Sequence, residues 1–167
     1  MTQPVFVIGF MGSGKSTFGK KLATKLGYGF IDLDEEVVKL AGKSISEIIE
    51  QEGEEKFRQL ENTALKGLDI SNKVISTGGG TPCFYDNIEW MKEHGLVVYL
   101  NVPEGVIYSR LKTTDLTQRP LLKGLDDDGL KQFIHTKLEE RLPYYYRAKV
   151  FFNPVNTDME YLVRLVA

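Results

Sequence analysis

Short apolar runs alternate along this chain with longer segments whose apolar positions recur every three or four residues. The runs Val5–Phe10, Phe30–Leu33, Lys73–Thr77, Leu96–Val102 and Val150–Asn153 predict strands. The periodic segments Lys15–Leu26, Ser44–Leu68, Tyr85–Glu93, Pro103–Lys112, Asp126–Leu142 and Met159–Val166 predict helices. Gly27, Gly95 and the Ser71-Asn72 pair punctuate them, Ser44 with Glu47 has the form of a capping box, and Gly53 interrupts the second helical region. Strand and helix alternate throughout, which predicts an α/β fold: a five-stranded parallel sheet flanked by helices on both faces. The stretch Thr113–Leu125 has no clear period and is expected to be a mobile lid.

Composition narrows the picture without changing it. The 167 residues suit one domain, and the 42% hydrophobic and 26% charged shares are those of an ordinary globular protein. A net charge of −2, from 21 basic and 23 acidic residues, argues against nucleic acid or an anionic membrane as the main partner. Cys83 is the only cysteine and there are two histidines, which excludes an intrachain disulfide and disfavours a Cys/His zinc site. His94 and His135 are assigned to structure, as are Trp90, the run Tyr144-Tyr145-Tyr146 and an inert Cys83 thiol. The opening Met1-Thr2-Gln3-Pro4 carries no basic region and no stretch reaches the length of a membrane span, so a cytoplasmic location is expected.

The chemistry concentrates where strands end. Gly9-Phe10-Met11-Gly12-Ser13-Gly14-Lys15-Ser16 follows the first strand and fits the pattern G-x-x-x-x-G-K-[ST]. In such a loop backbone N–H groups turn inward around phosphate oxygens, the lysine reaches the β- and γ-phosphates, and the serine hydroxyl can ligate Mg²⁺. Asp32-Leu33-Asp34 closes the second strand. Alternate residues on a strand share a face, so both carboxylates are expected to face the site, one toward Mg²⁺ and one toward a substrate hydroxyl. The competing reading is an acidic cap on a following helix. Gly78-Gly79-Gly80 closes the third strand and lets backbone approach a ligand closely. Arg58 sits between Glu54 and Glu61 at helical spacing. It is either one rung of a surface ion-pair ladder or a guanidinium oriented by Glu61 to grip a carboxylate, and Arg141 admits the same two readings. Arg119, in the aperiodic stretch, could cover a triphosphate, with Arg110 a helix length upstream.

Taken together, Gly9–Thr17, Asp32-Leu33-Asp34, Ser44–Arg58 with Glu61, Thr77–Gly80, Arg119–Leu122, and Arg141 with Pro143-Tyr144-Tyr145 closely resemble the shikimate kinase family, in order and spacing, from Val5 to about Tyr145. The resemblance implies one P-loop kinase domain over residues 1–167, with a shikimate-binding helical region at about 34–68 and the lid at about 113–125. It implies that Gly12, Ser13, Gly14, Lys15, Ser16 and Thr17 hold the ATP phosphates, that Ser16 and Asp32 hold Mg²⁺, and that Arg110 and Arg119 lie on the nucleotide. Asp34 would bind shikimate hydroxyls as orienting group or base, Arg58 and Arg141 would take the carboxylate, and the Gly79 backbone would meet a ring hydroxyl. Lys15, Asp34 and Arg119 are then the catalytic residues of a cytoplasmic, monomeric, ATP- and Mg²⁺-dependent phosphotransferase of aromatic amino-acid biosynthesis. One departure stands out: family members often carry an arginine after the last strand, near the adenine, where this chain reads Asn153-Pro154-Val155-Asn156-Thr157-Asp158.

Two other functions compete. Paired arginines would suit any carboxylate-bearing acceptor, so another small-metabolite kinase, such as one acting on gluconate, is the alternative enzyme. A nucleotide-dependent switch is the alternative from a different class. Its guanine-binding Asn-Lys-x-Asp signature is absent, because Asn72-Lys73 runs on into Val74-Ile75.

Overall fold

The computed structural model describes residues 2–114 and 120–167. Five strands, β1 (Val5–Ile8), β2 (Gly29–Asp32), β3 (Lys73–Ser76), β4 (Leu96–Leu100) and β5 (Val150–Phe152), form one sheet in the order β2-β3-β1-β4-β5. Every pairing is parallel. The helices are α1 (Lys15–Leu26), α2 (Leu33–Ala41), α3 (Ile45–Glu52), α4 (Glu54–Lys66), α5 (Asn87–His94), α6 (Glu104–Lys112), α7 (Asp127–Tyr145) and α8 (Glu160–Val166).

Alternation along the central strands builds two cores. Val5 and Val7 of β1 join Leu96, Val98 and Leu100 of β4 under α1 and α8, with Phe18, Leu22 and Leu162. Phe6 and Ile8 face the other way, with Val97 and Tyr99, under helices that contribute Leu65, Ile88, Ile107, Leu111 and Leu138. Burial on both faces is what lets these strands be apolar throughout. A smaller cluster of Val37, Ile48 and Phe57 holds α2, α3 and α4 together beside the sheet.

Three expectations change. The segment Ser44–Leu68 is two helices, because Gly53 adopts φ 90°, ψ 165° between them and turns α4 away from α3. Residues Leu33–Ala41 form a helix that the periodicity did not isolate. Helix α7 runs three residues past Leu142, through Pro143 to Tyr145. A proline within the last turn removes one hydrogen bond without ending the helix. Elsewhere α1 has the expected limits, and Ser44 Oγ accepts from Glu47 N at 3.1 Å.

Register sets the site's level. Asp32 stands beside Ser76 and Ser76 beside Val7, so the chain leaves β2, β3 and β1 at one height on one edge. The far end of the aperiodic stretch is anchored there: Pro120–Leu122 forms a 3₁₀ turn whose Leu122 is buried in the core.

Gly53 occupies a backbone region open essentially to glycine alone, and none of the described residues lies within 4 Å of where its Cβ would stand. The cost of Gly53→Ala is therefore purely conformational, about 1–3 kcal/mol. Urea unfolding should show a loss of that size.

Candidate active site

The loop after β1 turns through Gly14, at φ 88°, before α1 starts. Gly14 has no side chain to cap the helix, and the first turn of α1 holds no acidic residue. Its N–H groups and the positive end of its dipole are thus left to an anion. Lys15 Nζ reaches back to donate to Phe10 O at 3.0 Å, which lays the ammonium against the loop. From the last turn of α6, Arg110 Nη1 donates to Gly12 O at 3.2 Å. Two cations therefore frame the phosphate loop.

The acidic pair is built differently from the expectation. Strand β2 stops at Asp32, and Asp34 lies in the first turn of α2, so strand alternation does not pair them. Asp32 is instead the N-cap: its Oδ1 accepts from Asp34 N at 3.0 Å. Its other oxygen, Oδ2, accepts from Ser16 Oγ at 2.9 Å. The capping reading is thus realised, and the same cap also holds the phosphate-loop serine. Leu33 is buried behind them, as expected.

Past β3 the chain runs between charged groups. A Cβ on Gly78 would stand 3.1 Å from both Asp34 Oδ1 and Glu61 Oε2; one on Gly79, 3.0 Å from Arg141 Nη1; one on Gly80, under 3 Å from the Arg58 guanidinium. Arg58 is no surface rung. It is 8% exposed, donates to Glu61 Oε1 at 3.0 Å and lies over the Phe84 and Phe57 rings, 4.2 and 4.9 Å from their centres. The outer partner Glu54 is at 3.5 Å. Glu61 has no exposed surface, and burial raises its carboxyl above the ordinary value against the pull of Arg58 and of the Thr81 hydroxyl. Arg141, also 8% exposed, lies over Phe10 at 5.4 Å. Among the described residues, Arg58 Nε and Arg141 Nη1 are buried donors without a hydrogen-bond partner.

One cavity of about 470 Å³ collects these groups. Gly12, Gly14, Lys15, Ser16, Thr17, Asp32, Asp34, Arg58, Gly79, Arg110 and Arg141 all line it, and Leu121 and Leu122 close one side. Ser13 lines a second cavity of about 560 Å³, which shares Gly14, Thr17 and Arg110 with the first and extends to Phe152, Pro154 and Asp158. Arg119 lies outside the described residues. Among the described residues no group of three or more His, Cys, Asp or Glu is arranged to hold a metal.

Sequence reading missed two contributors. Tyr145, taken as a packing aromatic, is fully buried, stacks on Tyr99 at 5.0 Å and donates its hydroxyl to Gly79 O at 2.6 Å. Its position four residues after Arg141, on the same helix face, was the available signal. Thr81, whose hydroxyl donates to Glu61 at 2.7 Å, had no signal beyond adjacency to the glycines.

A phosphate loop opening into a cavity that also holds buried arginines and an acid defines a P-loop kinase of small, anionic metabolites. The shikimate kinase family model matches residues 11–165, and the chain belongs to that family. A shikimate kinase of Bacteroides thetaiotaomicron is 45% identical over 150 residues, covering 89% of this chain and 85% of that one. The crystal structure of shikimate kinase from the same organism superposes with a TM-score of 0.87 at 41% identity, covering 99% of this chain and 96% of the other. Shikimate kinase from Acinetobacter baumannii, solved in complex with shikimate, gives a TM-score of 0.84 at 34% identity, covering 99% and 91%. A gluconokinase from Sinorhizobium meliloti, at a TM-score of 0.59 and 19% identity over 98% of this chain and 88% of that one, shares the fold alone. The chain is an ATP-dependent kinase.

Cys83 lies on the 3₁₀ turn Thr81–Cys83, and burial pushes its thiol up to about 11 despite Arg141 and Arg58 nearby. Fewer thiolates mean slower alkylation. At pH 8 the native protein should react with a soluble disulfide reagent roughly 100-fold more slowly than the urea-unfolded chain.

Proposed function

We propose that this chain transfers the γ-phosphoryl group of ATP to the 3-hydroxyl of shikimate, a step of aromatic amino-acid biosynthesis through chorismate. The observation that carries the reading is the single cavity in which the phosphate loop faces Asp34 and two buried arginines. Arg58 and Arg141 each present a buried donor with no partner among the described residues, which suits an acceptor's carboxylate. Asp34 is the group within that cavity that can orient or deprotonate the acceptor hydroxyl as its oxygen forms the new bond to phosphorus and the bond to the β-phosphate breaks. Gly79, its carbonyl held by Tyr145, offers backbone to a ring hydroxyl.

Lys15, Arg110 and the bare N-terminus of α1 hold the phosphates, together with Ser13 and Thr17, and the base follows into the adjoining cavity against Pro154. The lid role is assigned to the segment 113–125 and stabilisation of the phosphoryl charge to Arg119, which lies outside the described residues. The Ser16 hydroxyl and Asp32 carboxylate are hard oxygen donors 2.9 Å apart, a set that fits Mg²⁺ shared with phosphates and water. When bound there, Mg²⁺ would draw charge from the β- and γ-phosphates. Positioning and fixed charge supply most of the acceleration, because phosphoryl transfer passes through a loose transition state. The protein is expected to act as a cytoplasmic monomer; among the described residues no helix is long and apolar enough to cross a membrane.

A coupled ADP-release assay with shikimate and gluconate side by side tests the substrate: turnover with gluconate alone would overturn the assignment. Asp34→Asn should lower kcat about 10²- to 10⁴-fold, with ATP affinity by titration calorimetry nearly unchanged. Arg58→Ala should raise the shikimate KM about thirtyfold or more; an unchanged KM would return Arg58 to a structural role.

A further inference from the structure

Ring contacts hold the Arg58 guanidinium but leave the direction of its donors to other contacts. Phe84 and Phe57 lie over its central carbon. That direction is set by Glu61, the nearer of its two hydrogen-bonding partners among the described residues, and Glu61 is in turn held by both oxygens. Oε1 accepts from Arg58 Nη1 at 3.0 Å and Oε2 from Thr81 Oγ1 at 2.7 Å. Thr81 has no exposed surface, and its own backbone is fixed on both sides. Its N–H donates to Gly78 O at 3.2 Å, and its carbonyl accepts from Asn87 Nδ2 at 3.0 Å. Asn87 Oδ1 accepts in turn from Asn62 Nδ2 at 2.7 Å, which ties the turn back to α4, the helix that carries Arg58.

We propose that Thr81 is a positioning residue for the acceptor's carboxylate: by holding Glu61 Oε2, its hydroxyl fixes Glu61 and so the direction in which Arg58, which lines the cavity, presents its guanidinium there. The proposal rests on the reading of Arg58 as the carboxylate's ligand. Removing the hydroxyl leaves a buried acceptor oxygen without a donor, in a place where Asp34 is close enough that one Cβ on Gly78 would meet both acids. Glu61 then swings to relieve this, and Arg58 follows it.

Steady-state kinetics of Thr81→Val, Thr81→Ser, Arg58→Ala and the double variant Arg58→Ala/Thr81→Val test the idea, with thermal melts to report folding. Thr81→Val should raise the shikimate KM on the order of tenfold, as expected for loss of a hydrogen bond to a charged group, while the ATP KM stays within about twofold and kcat changes less than the shikimate KM. Thr81→Ser should recover most of the loss. In the Arg58→Ala background Thr81→Val should add nothing to KM, since the two act through one contact. Wild-type KM for Thr81→Val, a Thr81→Ser variant as impaired as Thr81→Val, or the same tenfold factor in the Arg58→Ala background would each overturn it. Should Thr81→Val not fold, Thr81→Ala removes the same hydroxyl and faces the same criteria. If Arg58→Ala raises KM and loss of the hydroxyl does not, only the role of Thr81 fails; if Arg58→Ala leaves KM unchanged, the reading of the pocket fails with it.

Discussion

The site depends on a steric constraint at the end of β3, where backbone must pass between charged groups that leave no room for a side chain. Gly78 runs beside Asp34 and Glu61, Gly79 beside Arg141 and Gly80 beside Arg58. These four residues come from α2, α4 and α7, elements far apart in sequence. Only a bare backbone lets them converge. The glycines serve less as a hinge than as a gap of controlled width. Tyr145 from α7 and Thr81 at the start of the next turn then pin the two ends of that gap.

Electrostatics explains why so crowded an arrangement is tolerable. An ion pair as buried as Arg58–Glu61 loses most of its hydration, and it persists only when remaining lone pairs and protons find partners. Glu61 meets that condition through Thr81; Arg58 meets it partly, through the ring faces and Glu54. Among the described residues the unmet remainder is Nε of Arg58 and Nη1 of Arg141, and both residues line the cavity. On the proposed reading, a carboxylate entering there would meet guanidinium groups that the fold has already desolvated. The ordering cost would then be met at folding rather than at binding, which is the physical content of preorganisation.

The strand-ending motifs could be located before the fold because they depend on local spacing, although Asp34 lies in α2 rather than on β2. Periodicity located all five strands and the limits of α1, and the phosphate loop needed only its own eight residues. What could not be read was the consequence of a single backbone conformation or a distant contact. Gly53 divides one apolar period into two helices. Residues Asp34, Glu35 and Glu36 hide the start of α2, because an acidic first turn interrupts the apolar pattern that would announce a helix. The ambiguity of Arg58 was of the same kind. Spacing gives Glu54 and Glu61 equal claim, and only burial, with Phe84 arriving from another segment, decides between a solvated ladder and a buried fork.

The contrast between α1 and α2 shows how the same element serves opposite ends. Both helices start at one edge of the sheet, after strands that are separated only by β3. Each presents unpaired N–H groups and a positive dipole end there. At α2 the chain fills that position itself, with the Asp32 carboxylate as cap and Asp34, Glu35 and Glu36 in the first turn. At α1 it places a residue without a side chain and then a lysine, so the helix supplies no cap or first-turn acid of its own at that position. Asp32 joins the two, since one oxygen closes α2 while the other holds Ser16 in the first turn of α1. A negative charge is thereby kept at the border of an anion site without occupying it.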